Sequence, residues 1–212
     1  MTVGKFITFE GGEGTGKSTQ TGLLRARLKE RGITPTLTRE PGGSPFAENI
    51  RELLLNPEHF TRSSLSEALL FYAARDDHLR QTITPALEKG DWVISDRFSD
   101  STRAYQGAAG GVAIDMLETL ERWVVGAHKP DLTIILDMAP ETGLKRAEER
   151  RAEAEIDRFE QLDLSFHKRL RQGFIEIAKN EPDRCHIIDA DRSIEDIAED
   201  IWHIVEGRLI NG

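Results

Sequence analysis

The sequence predicts an α/β fold in three layers, a five-stranded parallel sheet with helices on both faces. Two observations carry this. Short apolar or β-branched runs at Phe6–Phe9, Thr36–Thr38, Trp92–Ser95, Leu132–Leu136 and His186–Ile188 alternate with helical stretches along the whole chain. That alternation is the signature of βαβ units and of a parallel sheet covered on both sides. Between the first run and the first helix lies Gly11-Gly12-Glu13-Gly14-Thr15-Gly16-Lys17-Ser18, which is G-x-x-x-x-G-K-[ST], the phosphate-binding P-loop.

The first run reads as a buried strand. After the loop, Leu23, Leu24, Ala26 and Leu28 recur at helical spacing, and Gly32 supplies a stop. The glycines let the backbone turn tightly and aim successive N–H groups inward. The helix N-terminus adds partial positive charge at the same place. Lys17 can then reach the β- and γ-phosphates of a nucleoside triphosphate, and the Ser18 hydroxyl can bind Mg²⁺. A merely structural Gly-rich turn would not need strand, motif and helix in register. The motif alone does not separate a kinase from a switch or a motor.

In parallel sheets ligands sit at the carboxyl ends of the strands. Glu10, Arg39-Glu40, Asp96-Arg97 and Asp137 all fall there. The second strand leads into Arg39-Glu40-Pro41-Gly42-Gly43-Ser44-Pro45, a rigid irregular loop. The next helix carries Ile50, Leu53 and Leu54 inward, with Arg51 pointing elsewhere. Ser64-Leu65-Ser66-Glu67 reads as a capping box opening a long helix. On it Phe71 and Arg75 are i, i+4 neighbours on one face, either core and solvated charge or parts of a site.

Asp96-Arg97-Phe98-Ser99-Asp100-Ser101-Thr102-Arg103-Ala104-Tyr105-Gln106-Gly107 is unusually dense in donors and acceptors for a strand-end loop. An acid there can hold Mg²⁺ through water while the adjacent arginine holds a phosphate; a locally satisfied Asp–Arg pair is the alternative. The helix at Ile114–Val125 is amphipathic and suits core or interface. Pro140-Glu141 opens another helix. It runs through Lys145-Arg146 into Glu148–Glu155, almost without large apolar residues, and is either a solvated helix or a mobile flap. After Asp157-Arg158-Phe159-Glu160, Phe166, Leu170, Phe174 and Ile177 return to an apolar pattern, and Ser193-Ile194-Glu195-Asp196 caps the last helix.

With 212 residues the chain reads as a single domain, residues 1–212, with no repeat, linker or low-complexity segment. A net charge of −9 and the lack of a basic tail argue against a general nucleic-acid partner. Local arginines can still focus field on a small anion. The single Cys185 fits a reducing, cytoplasmic setting and reads as a small buried group at a strand start. The first strand begins almost at once, so no signal peptide is expected, and no apolar run is long enough to span a membrane.

Taken together these pieces resemble the bacterial thymidylate kinases, P-loop nucleoside monophosphate kinases. The matching stretches are Phe9-Glu10-Gly11-x-Glu13-Gly14-x-Gly16-Lys17-Ser18-Thr19, Thr38-Arg39-Glu40-Pro41-Gly42-Gly43 and Leu70-Phe71-Tyr72-Ala73-Ala74-Arg75. They continue with Asp96-Arg97-Phe98-x-x-Ser101-x-x-Ala104-Tyr105-Gln106-Gly107, Lys129-Pro130-Asp131-Leu132, Gly143-Leu144-Lys145-Arg146 and Asp157-Arg158-Phe159-Glu160. The resemblance covers nearly the whole chain in order. Its specific blocks are the Arg-Glu-Pro-Gly-Gly loop and the Asp-Arg-Phe to Ala-Tyr-Gln-Gly segment.

The resemblance implies transfer of the γ-phosphoryl of ATP to dTMP with Mg²⁺, direct and in line, by a homodimeric cytoplasmic enzyme serving dTTP synthesis. It implies that Gly11 to Thr19, including Thr15, hold ATP, that Arg146 covers adenine, and that the Ala190-Asp191-Arg192 turn borders it. Phe71 would stack on thymine and Arg75 donate to a base carbonyl, which rejects cytosine. Ser101, Thr102 and Gln106 would add polar contacts, and Tyr105 would lie under the sugar where a 2′-hydroxyl has no room. Glu13 would meet the 3′-hydroxyl, and Arg97 would clamp the dTMP phosphate with Arg39 and Arg51 as weaker candidates. Ser18 and Asp96 would organise Mg²⁺.

Some family members carry an arginine inside the P-loop. Here Thr15 or its neighbours stand there, and Lys17 is the one basic residue of the motif. The missing charge is expected from a lid at about 141–158, with Arg150 as the catalytic arginine and Arg151 as its alternate. The closest rival is another P-loop nucleotide or deoxynucleoside kinase. A guanine-reading switch would need Asn-Lys-x-Asp, and the sequence contains none.

Overall fold

The computed structural model describes residues 4–56, 62–150 and 158–211. Strand β1 (Phe6–Gly11) runs through the P-loop into helix α1 (Lys17–Glu30), and β2 (Thr36–Arg39) follows. Helices α2 (Pro45–Leu55) and α3 (Ser64–His78) come next. A π-helical turn, Leu79–Ile83, continues α3 into α4 (Thr84–Glu88). Strand β3 (Val93–Asp96) leads to α5 (Ser99–Thr102), which runs on as a π-helical segment, Arg103–Ala109. Then come α6 (Ile114–Val124), β4 (Leu132–Asp137), α7 (Pro140–Arg150), α8 (Leu164–Asn180), β5 (Cys185–Asp189) and α9 (Ile194–Val205).

The five strands form one parallel sheet in the order β2-β3-β1-β4-β5. The expected class and strand number therefore stand, with strand ends shifted by a residue or two. The register pairs Phe9 with Asp96, Arg39 with Asp96, Gly11 with Leu136 and Asp137 with Asp189. All five carboxyl ends thus reach one edge, with β1 and its P-loop at the centre.

Successive strand residues point to opposite faces, and both faces are apolar. Ile7, Phe9, Ile94, Ile134 and Leu136 pack against Leu24 and Leu28 of α1 and Ile197, Ile201 and Trp202 of α9. On the other face Phe6 and Val93 meet Tyr72 of α3 and Leu117 of α6, while Ile135 meets Leu170, Phe174 and Ile177 of α8. Burial of aliphatic and aromatic area on both sides of the sheet is what fixes the layers.

The capping assignments are mixed. Ser193 caps α9 as expected, accepting from the Asp196 N–H at 3.1 Å. Helix α3 starts one residue away from the expected box. Ser63, not Ser64, is its N-cap and accepts from the Ser66 N–H at 3.1 Å. Glu67 is then not a reciprocal cap: it is buried, and Gln106 donates to it at 3.2 Å. Helix α6 packs Leu117 inward and leaves Ile114, Met116 and Trp123 exposed. Cys185 opens β5 and is buried, as expected. The expected lid at 141–158 is described as α7 to Arg150 and again from Arg158. Arg151 lies outside the described residues, as does the side chain of Arg150.

Candidate active site

The P-loop takes its shape from residues that have no alternative there. Gly11 and Gly14 have φ of +134° and +67°. A Cβ on Gly11 would overlap the Leu136 carbonyl, and one on Gly14 the Gly143 carbonyl. Both positions therefore require glycine, for backbone conformation and for space. Lys17 begins α1 and is buried. Its ammonium donates to the carbonyls of Gly12 at 2.7 Å and Gly11 at 3.2 Å and to Thr15 Oγ1 at 3.4 Å. Burial, then the positive charge of Arg97, pushes Lys17 down to about 8. Next to it the Ser18 hydroxyl donates to Asp96 Oδ2 at 2.7 Å. Two hard oxygen donors thus converge at the mouth of the loop, a set that suits Mg²⁺ bound by one carboxylate and substrate phosphates.

Arg97 follows Asp96 in the left-handed region, at φ 71°, the one non-glycine there among the described residues. Such a conformation persists only when its surroundings over-determine it. Its N–H donates to the Phe9 carbonyl at 2.9 Å, and its carbonyl accepts from Ser95 Oγ at 2.7 Å. Beneath it the buried Glu10 accepts from the Phe98 N–H at 2.8 Å and from Ser101 Oγ at 2.5 Å. Burial and the nearby charge of Asp100 raise Glu10 to about 8. Asp100 is itself fully buried and held by Arg103 and Arg184.

The Arg97 guanidinium donates to the Gly11 carbonyl at 3.0 Å, to Ser101 Oγ at 3.2 Å and to Glu13 Oε1 at 2.9 Å. It also lies 4.9 Å from the centre of the Tyr105 ring, whose hydroxyl donates to Glu13. Burial opposes ionisation of Glu13, but the charges of Arg97 and Lys17 outweigh it and hold the carboxyl at about 2.

Away from the loop the cleft deepens between α2, α3 and the Ser99–Ala109 segment. Its volume is about 270 Å³, and it runs from Lys17 and Ser18 past Arg97 and Tyr105 to Phe71, Arg75, Gln106 and Phe159. Arg75 is buried on this wall and stacks between Tyr72 and Phe98, 4.8 and 5.2 Å from their ring centres. Its Nε donates to Glu40 at 2.8 Å, and its Nη2 to the Phe98 carbonyl and Thr102 Oγ1, both at 3.1 Å. Nη1 has no protein partner. Burial works against the Arg75 charge, yet the Glu40 carboxylate more than offsets it and the net shift is upward. Gln106 gives its amide N–H to Glu67, and its Oε1 is left without a partner.

The family model for thymidylate kinase matches residues 9–201 of this chain. A thymidylate kinase of Bradyrhizobium sp. (strain ORS 278) is 53% identical over 206 residues, 97% of this chain and 91% of the relative. One from Rhodopseudomonas palustris (strain BisB18) is 52% identical over 210 residues, covering 99% and 91%.

The chain belongs to the thymidylate kinase family. A crystal structure of thymidylate kinase from Ehrlichia chaffeensis matches it with a TM-score of 0.77 at 34% identity, covering 96% of this chain and 99% of that one.

Against the thymidylate kinase resemblance, the structure gathers most of the expected residues into one cleft. Glu13, Gly14, Thr15, Gly16, Lys17, Ser18, Arg39, Arg51, Phe71, Arg75, Asp96, Arg97, Ser101, Thr102, Tyr105 and Gln106 all line it. Arg39 is paired with Glu48 at 3.1 Å, and Arg51 donates to the Pro41 carbonyl at 2.8 Å. Gly11 and Gly12 line a small adjoining cavity behind the loop, and Thr19 is exposed on α1. Arg146 does meet the 190–192 turn, donating to the Ala190 carbonyl at 3.1 Å and to Asp191 at 2.8 Å. Arg192 instead pairs with Asp200 at 2.5 Å, and neither arginine lines the cleft. Glu40, Pro41, Leu55, Phe98 and Phe159 line it as well, none of them assigned a contact from the sequence. All but Leu55 sat inside a matching motif, and Glu40 was also marked by its place at the carboxyl end of a strand.

Proposed function

We propose that the chain carries the activity of its family, transferring the γ-phosphoryl of ATP to dTMP to give dTDP and ADP, with Mg²⁺. One observation favours a thymine acceptor most. The unpartnered Arg75 Nη1 is a donor, and the unpartnered Gln106 Oε1 is an acceptor, on residues of the same cleft wall. Thymine presents the complement, an O4 acceptor beside an N3–H donor. Cytosine presents an amino donor beside an N3 acceptor, so both buried groups would stay unpaired, a penalty that binding sites exploit strongly.

In this reading Phe71 stacks on the ring. Glu13, ionised at neutral pH, accepts from the sugar 3′-hydroxyl, and Tyr105 occupies the space a 2′-hydroxyl would need. Arg97 holds the dTMP phosphate, and Arg39 and Arg51 add positive charge at the rim. On the donor side the loop N–H groups and Lys17 hold the ATP phosphates, with Arg146 and Arg192 toward the adenine side. Ser18 and Asp96 would hold Mg²⁺, which neutralises charge on the phosphates when bound. Lys17 and Arg97 then bracket the reacting oxygens. Transfer is direct, because phosphoryl transfer needs alignment and charge neutralisation more than a protein nucleophile. The segment at about 141–158 serves as a lid, and Arg150 or Arg151 supplies the charge that the P-loop lacks. The enzyme works in the cytoplasm, which its single cysteine supports, and as a homodimer, which the exposed Leu65, Leu69, Ile114, Met116 and Trp123 on α3 and α6 support.

A coupled assay with dTMP, thymidine, dCMP and AMP as acceptors tests this. The reading expects dTMP far ahead of the others. Preference for thymidine would assign the chain to nucleoside phosphorylation, and ATP hydrolysis indifferent to dTMP would remove the acceptor site.

A further inference from the structure

We infer that His78 is a positioning residue for base recognition, locking Glu40 and through it the guanidinium of Arg75. The inference rests on the reading of Arg75 as the group that meets the base. Arg75 alone has freedom about its side-chain torsions, and its selectivity depends on which nitrogen faces the acceptor. Glu40 removes that freedom. One oxygen, Oε2, accepts from Arg75 Nε at 2.8 Å, and Nη2 lies 2.8 Å from the same oxygen. Nη2 is also spent on Phe98 and Thr102. Only Nη1 is left over for a ligand.

Glu40 is held in turn. Its other oxygen, Oε1, lies 2.9 Å from His78 Nδ1, so that ring nitrogen carries a proton toward the carboxylate. His78 Nε2 lies 2.7 Å from Thr38 Oγ1, which fixes the opposite side of the ring. The ring is fully buried at the end of α3. Gly43, at φ +85°, packs against it so closely that a Cβ there would strike the ring. Thr82 Oγ1 donates to the Gly43 carbonyl at 2.7 Å and keeps that loop in place. The path runs Thr38, His78, Glu40, Arg75 without a gap, from β2 to the cleft. The side-chain contacts of this path end on Phe98 and Thr102 of the acceptor wall, and none of them goes to the phosphate loop.

The test is steady-state kinetics with dTMP and dCMP on wild type, His78→Leu, His78→Asn, Arg75→Ala and the double variant. An asparagine amide restores an N–H at the Nδ1 place. His78→Leu is expected to cut the dTMP-over-dCMP preference by about 10-fold or more through KM for the acceptor, leaving KM for ATP within about 2-fold. His78→Asn should recover most of the preference. In the Arg75→Ala background His78→Leu should add little, since the group it positions is gone. If His78→Leu does not fold, His78→Gln takes its place, since its amide lies on the Thr38 side and leaves Glu40 unheld. A folded variant with the wild-type preference overturns the inference, and so does an equal loss with and without Arg75. If Arg75→Ala itself keeps the preference, the reading of Arg75 fails and the inference falls with it. If Arg75→Ala loses it and His78→Leu keeps it, the inference alone falls.

Discussion

Arg97 donates to Glu13 at 2.9 Å, so a single ion pair ties the turn after β3 to the phosphate loop. The two side chains are 16% and 14% exposed, sheltered enough for the pair to matter. It places the cation proposed for the acceptor phosphate against the carboxylate proposed for the sugar. Arg97→Ala should therefore raise KM for dTMP far more than KM for ATP. A charge-assisted contact contributes about 1.5–3 kcal/mol, which corresponds to roughly 10- to 150-fold. Equal weakening of both substrates would instead point to a damaged fold.

The same pair sets an acid limb of stability. Glu13 ionises at about 2 in the fold, against an ordinary 4.5. Its carboxylate stabilises the fold fully above the ordinary value, and that contribution is lost as pH falls from 4.5 toward 2. Urea midpoints measured across this range should fall less steeply for Glu13→Gln than for wild type. Parallel curves would mean that the pair contributes nothing.

Lys17 should control the alkaline limb of activity. Held near 8 by burial and by Arg97, it loses its proton as pH rises through that value. The profile of kcat/KM for ATP, which reports the free enzyme, should decline above it. Lys17→Arg, charged throughout, should show no such decline even at a lower rate. Lys17→Ala should nearly abolish turnover with an unchanged thermal midpoint, because the glycines that shape the loop remain.

Much of this site was legible in the sequence because its chemistry is local. The P-loop is one continuous stretch, and Phe71 and Arg75 share a face by helical spacing alone. What was not legible depends on distant partners. Glu10 meets Phe98 across 88 positions, Glu40 meets Arg75 across 35, and His78 reaches back 38 to Glu40. No periodicity reports such pairs. Tyr105 and Gln106 sit on a π-helical segment, whose wider turn a 3.6-residue pattern does not reveal. The cap of α3 slipped by one because Ser63, Ser64 and Ser66 all carry capping side chains, and the choice between them rests on backbone geometry.

Replacing Tyr105 with Ala should admit ribonucleotide acceptors such as UMP, since the ring proposed to lie under the sugar is removed. The check is the UMP-to-dTMP ratio of kcat/KM, expected to rise by about 10-fold or more. An unchanged ratio would place the sugar elsewhere.

The double change of Arg150 and Arg151 to Ala should lower kcat by at least about 100-fold with little change in dTMP affinity, as expected for charge supplied only in the transition state. Single-turnover rates and equilibrium dTMP binding measured side by side separate the two effects. A retained kcat would leave Arg150 and Arg151 without a catalytic role.

The wall formed by Arg75 and Gln106 is proposed to read thymine. A crystal structure with dTMP bound measures this directly. The base should stack on Phe71, with its O4 accepting from Arg75 Nη1, its N3–H donating to Gln106 Oε1 and the phosphate on Arg97. A base seated with Arg75 and Gln106 still unpartnered, or a phosphate away from Arg97, would contradict it.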